Sequence, residues 1–163
     1  MLVDRLFDVP GVLMKALLCT DGSPGALEAA HLALPLLGDD VELDVVTVIP
    51  ELEDPLATAG GFEGSLITEE EAEERHSADE AQGRSALEST RRAIGASVET
   101  EMVESDDPGR TICELAAQRA VDLVVIGGSD KGWFSRLIHG SVMEYVVHHS
   151  PCPVLVVRHQ PGE

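Results

Sequence analysis

Residues 123–126 form an unbroken apolar run, Leu-Val-Val-Ile, that ends in Gly127 and Gly128. A run this short and this uniformly apolar reads as a strand of a parallel sheet, buried on both faces. A polar loop follows, and Gly140 and Ser141 then stand directly before a second helical pattern. Glycine at both the strand end and the helix start leaves the backbone unhindered where it turns. A helix start offers free N–H groups and the positive end of the helix dipole, which suits an anion such as phosphate, and Ser141 adds a hydroxyl donor.

The remainder of the chain alternates in the same way. A short strand is expected over residues 16–19, with Thr20, Asp21, Gly22 and Ser23 as its turn. Ser23 before Pro24 is an N-cap followed by a first helical residue, and Leu27, Ala30, Leu34 and Leu37 keep helical spacing until Gly38. A second strand spans 43–49 and stops at Pro50. An acidic segment rich in Pro and Gly, about residues 50–66, reads as a flexible flap. Thr68 with Glu71 makes a capping box, which predicts a long helix over 69–94 with a thin, mostly alanine apolar face. Gly83 weakens the middle of that helix by about 1 kcal/mol relative to Ala, and its first half is expected to fray. An outer strand over 97–103, a helix begun by Asp107 and Pro108 with Ile112, Leu115 and Ala116 inward, the strand over 121–126, a short helix over 141–149 and a last strand over 154–157 complete the series. The order predicts an α/β fold: a five-stranded parallel, doubly wound, Rossmann-like sheet with helices on both faces. Such sheets bind ligands beyond the carboxyl ends of their strands, at a switch point.

With Gly140, Ser141, Val142, Glu144, Tyr145, Val146, Val147, His148 and His149, then Pro151, Cys152, Pro153 and the apolar run to Val157, the C-terminal third resembles the universal stress protein family. The resemblance implies an adenine nucleotide alpha hydrolase-like fold over residues 14–158, with 1–13 an N-terminal extension and 159–163 a tail. It also implies an adenine nucleotide, ATP with or without magnesium, at the crevice. Asp21, with Thr20 beside it at the strand end among the nucleotide-binding residues, would meet the base or ribose region, and the backbone of Val48 would face the adenine. Gly127 would leave space beside the ribose and phosphates, and Gly140, Ser141 and Val142 would bind the phosphates. Nucleotide-binding members carry Gly, two residues, Gly, nine residues, Gly, then Ser or Thr. Gly127, Gly140 and Ser141 match that spacing, but Asp130 stands at the second glycine position. Two unit charges about 5 Å apart repel by about 1–3 kcal/mol near a protein surface, a loss of about 5- to 150-fold in affinity. Lys131 and Arg136 in the same loop offset part of this, or Asp130 holds a magnesium ion against the phosphates. The resemblance further implies a homodimer joined through the last strand, from Pro153 to Val157.

Composition excludes several alternatives. Net charge is −19, and residues 51–80 hold eleven acids against Arg75 alone, so neither nucleic acid nor an anionic membrane is an expected partner. No apolar run approaches the roughly 20 residues of a membrane span, and the N-terminal segment lacks a signal-peptide layout, so a cytoplasmic protein is expected. Gly127 and Gly132 have P-loop spacing, but Trp133 and Phe134 occupy the places of Lys and Ser or Thr. Cys19, Cys113 and Cys152 lie in apolar contexts and read as small buried hydrophobes; His148 and His149 finish a helix, and no metal site is read. No nucleophile is paired with a base, so no catalytic residue is assigned and at most slow ATP hydrolysis is allowed. The function expected is a stress-response sensor or regulator that binds nucleotide. The alternative is a dimeric module without nucleotide that engages an unknown protein partner through its surface.

Overall fold

The computed structural model describes residues 13–55, 67–95, 98–128 and 142–158. Five strands form one sheet: β1 (Met14–Cys19), β2 (Val41–Ile49), β3 (Glu99–Glu104), β4 (Leu123–Gly128) and β5 (Val154–Arg158). Their order is β3-β2-β1-β4-β5, and every neighbouring pair is parallel. Helices α1 (Pro24–Leu37), α2 (Glu69–Ile94), α3 (Pro108–Gln118) and α4 (Val142–His149) lie between successive strands. From β1 the chain winds outward through β2 to β3, then returns to the other side of β1 to lay down β4 and β5. The direction of winding therefore reverses between β1 and β4. The expected α/β architecture is the one observed.

Strand alternation divides the core into two layers. Leu17 and Cys19 of β1, Val46 and Val48 of β2, and Val124 and Ile126 of β4 pack with Ile112 and Ala116 of α3 and Val142 and Val146 of α4. The residues between them, Leu18, Val45 and Val125, face Ala30 and Ala33 of α1, with Leu87 and Ile94 of α2 alongside. Each fully buried Val, Leu or Ile contributes about 1.5–3 kcal/mol. Because β1, β2 and β4 are apolar toward both layers, the central strands cannot be edges, and the wetter β3 takes an outer place.

Two helices differ from the sequence reading in instructive ways. The sheet face of α1 is Gly25, Ala26, Ala29, Ala30 and Ala33, not the leucine series, and Leu27, Leu34 and Leu37 are only partly buried. Small side chains let this helix approach the sheet closely, which outweighs the larger apolar area that leucines would bury. Helix α2 has the expected bounds, and its capping box is formed: Glu71 N–H donates to Thr68 Oγ1 at 3.1 Å, and Thr68 N–H to Glu71 Oε2 at 2.8 Å. The helix runs unbroken from Glu69 to Ile94. Gly83 is a contact point rather than a weak point: a Cβ there would lie 2.6 Å from Met102 Sδ and 2.8 Å from Ile49 Cγ2. Strand β3 begins two residues later than expected, at Glu99, and β4 likewise, at Leu123. Of the expected features, Asp130, Gly140, Ser141, the Trp133 loop, residues 1–12 and residues 56–66 lie outside the described residues. Among the described residues no helix is long and apolar enough to cross a membrane.

Candidate functional site

The crevice between β1 and β4 is built from the turn that follows β1. Thr20 is fully buried, its N–H donating to Val46 O at 2.9 Å and its Oγ1 lying 2.7 Å from Thr90 Oγ1 of α2. The same hydroxyl oxygen accepts from Gly22 N–H at 3.1 Å, so the Thr20 side chain is committed to holding the turn. Asp21, 8% exposed, accepts from Ser23 N–H through Oδ1 at 2.9 Å. Its Oδ2 makes no hydrogen bond to the described residues. Ser23 Oγ in turn caps α1 by accepting from Ala26 N–H at 3.2 Å. One short segment thus fixes a buried carboxylate beside a helix start, at the switch point of the sheet.

Glycines let the surrounding backbone close on that turn. Gly22 has φ +70°, and a Cβ there would lie 2.8 Å from Ala86 Cα of α2. At Gly127, on the end of β4, a Cβ would lie 2.5 Å from Gly25 O and 2.7 Å from Ala26 Cα. The room that Gly127 leaves is filled by the first turn of α1, so this glycine fixes where the helix start sits in the crevice. Val48 is on β2, with its side chain in the α3 and α4 layer. Val46 O accepts from Thr20 N–H; by strand alternation Val48 turns its backbone to the same side, beyond the end of β1. Val142 opens α4 with its side chain buried at 2% exposure. The structure therefore brings Thr20, Asp21, Val48 and Gly127 to one end of the sheet. Asp130, Gly140 and Ser141 are not among the residues it describes.

A second concavity lies one strand over. A cleft of about 370 Å³ is lined by Pro50, Glu51, Glu53, Ala72, Arg75, His76, Asp79 and Asp106, at the carboxyl ends of β2 and β3. Burial pushes the Asp79 carboxyl above the usual range; the Glu53 charge adds to this and His76 opposes it. Sequence reasoning passed over His76 and its neighbours. The signal was the helical spacing of His76 and Glu80, but it needed Glu104 at the end of β3 to give it meaning. Of the three cysteines expected to be buried, only Cys19 is, and burial pushes its thiol far up, with Cys113 adding a smaller effect; Cys113 and Cys152 are partly buried.

The sequence model described as the universal stress protein family matches residues 13–158. The chain belongs to that family. A universal stress protein of Methanocaldococcus jannaschii is 35% identical over 151 residues, spanning 88% of this chain and 81% of the relative. Among solved structures, a universal stress protein family member of Arabidopsis thaliana with AMP bound superimposes with a TM-score of 0.60 at 18% identity, covering 90% of this chain and 92% of that one. The universal stress protein of Archaeoglobus fulgidus in complex with dAMP gives 0.51 at 20% identity, covering 88% and 97%. At these identities the two structures show a shared fold. In the universal stress protein described here, that fold places Asp21 and the start of α1 at the switch point.

Proposed function

We propose that this universal stress protein domain binds an adenine nucleotide in the crevice between β1 and β4 and acts as a nucleotide-responsive regulator of a cytoplasmic stress response. The observation that carries the reading is Asp21: a nearly buried carboxylate at the switch point, with one oxygen engaged by the turn and the other making no hydrogen bond to the described residues. A ribose hydroxyl is a fitting donor for that oxygen, because a charge-assisted hydrogen bond in a partly dry site is stronger than a neutral one. The backbone of Val48 faces the adenine, Thr20 holds the turn beneath the base and ribose, and Gly127 seats the helix start beside them. Gly140, Ser141 and Val142 serve the phosphates, with ATP the working ligand. Asp130 makes that affinity weak or dependent on magnesium. Relatives of the same fold hold AMP and dAMP, which supports the nucleotide class without specifying the phosphate count. No residue is assigned to catalysis. Two copies join through β5.

Mass spectrometry of small molecules released from freshly purified, denatured protein tests this reading. An adenine nucleotide near one per chain is the expected result. Release of none, together with no uptake of ATP, ADP or AMP on incubation with or without magnesium, would replace the nucleotide reading with that of a surface-acting interaction module.

A further inference from the structure

Where α2 passes the end of β3, three side chains carrying metal-binding atoms meet. His76 and Glu80 are four residues apart on α2, so one helical face presents both. Glu104 is the last residue of β3. One ligand atom from each lies within 4.8 Å of the others, and His76 Nε2 is 3.7 Å from Glu104 Oε1. That distance is too long for a hydrogen bond. It suits two atoms sharing one ion, since ligands about 2.0–2.2 Å from a metal lie roughly 3–4 Å apart.

The bland alternative is an ion pair between His76 and Glu104, and it accounts for the site poorly. Glu104 is half exposed, so such a pair contributes little. The His76 imidazole is largely buried, 18% exposed, so packing holds it in place whichever partner Nε2 takes. Glu80 meets Arg84 at 3.4 Å in an exposed i,i+4 pair, which a stronger ligand displaces readily. Two carboxylates and a neutral imidazole sum to −2, the charge a divalent cation cancels. His76 also lines a cleft in which Glu51, Glu53, Asp79 and Asp106 outnumber Arg75, itself paired with Glu53, so the net field there favours cations.

We propose that His76, Glu80 and Glu104 bind one divalent transition-metal ion, with Zn²⁺ the ion that one imidazole and two carboxylates match best. Three protein ligands leave a coordination position open beside the cleft, for water or an anionic ligand. The site ties the middle of α2 to the end of β3, and it is independent of the crevice between β1 and β4.

Equilibrium dialysis of the nucleotide-free full chain against zinc chloride, with metal measured by mass spectrometry, tests the assignment. Glu80→Gln and Glu104→Gln are near-isosteric changes at partly exposed positions, and circular dichroism checks that both fold. Wild type is expected to retain one Zn²⁺ per chain. Either variant should weaken binding about ten-fold or more, since losing even an outer-shell partner costs about 10- to 100-fold. With Co²⁺ in place of zinc, the absorption spectrum should show ligand-field bands without a thiolate charge-transfer band. No retention by wild type, retention by either variant equal to that of wild type, or a thiolate band that assigns the metal to cysteine would each overturn the proposal.

Discussion

Gly127→Ala forces a methyl group against the backbone of Gly25 and Ala26, neither of which can move without shifting the start of α1. The expected cost is about 1–3 kcal/mol, read as a lower urea midpoint with unchanged slope. An unchanged midpoint would mean that the helix start is not seated on this strand end. The sequence marked Gly127 as a position needing a bare backbone, but not what occupies the space, because Gly25 and Ala26 lie a hundred residues away along the chain. Asp21 shows the reverse case. Its position after β1 was legible from the apolar run before it; the turn role is seen in Oδ1, which accepts from Ser23 N–H, and the proposed ligand role falls to Oδ2.

At the scale of elements, α2 gives two opposed expectations for one substitution. Helix propensity alone has Gly83→Ala stabilising by about 1 kcal/mol. The contacts with Met102 and Ile49 have it destabilising by about 1–3 kcal/mol, and since Ile49 is fully buried the packing loss wins. A lower melting temperature is therefore expected, and a higher one would return Gly83 to being a mere weak point. The capping box at the other end of α2 was legible from Thr68 and Glu71 alone, because its partners are three residues apart. Thr68→Ala should cost about 1 kcal/mol. The Glu71 carboxyl is held below the usual range chiefly by the Thr68 backbone N–H, and then by the Thr68 hydroxyl. A folded-state pKa below the unfolded one means that this stabilisation is present above the unfolded carboxylate pKa and fades as pH falls through the folded value. Wild type and Glu71→Gln should thus differ in stability at neutral pH and converge in acid; a constant difference would assign the effect to shape rather than charge. Local signals of this kind fixed α2, whereas the alanine face of α1 was misread because propensity and spacing do not reveal how close a helix lies to its sheet.

For the whole molecule, the parallel doubly wound sheet followed from the alternation of buried runs with helices, whereas the spatial order of the strands, and with it the point between β1 and β4 where winding reverses, did not. What the sequence could not supply was anything built by contact between distant elements: the Thr20 and Thr90 pair, the cleft beside β3, and the meeting of His76 with Glu104. Assembly is testable at the same scale. Val124 N–H donates to Pro153 O, so by alternation Val154 and Val156 turn their backbone groups away from β4. Val156→Pro removes an outward donor while sparing the bonds to β4. Light scattering is expected to show two copies for wild type and one for the variant; dimers in both would move the interface away from β5.

The most direct test of the central claim is calorimetric titration of ATP, with and without magnesium, into wild type and Asp21→Asn. Asparagine keeps an oxygen for Ser23 N–H and so keeps the turn, but it removes the charge offered to the ribose. Saturable binding to wild type, weakened about ten- to hundred-fold in the variant at unchanged melting temperature, is the predicted result. Equal affinity in both proteins, or no binding heat in wild type under either condition, would contradict a nucleotide site at the β1 and β4 switch point.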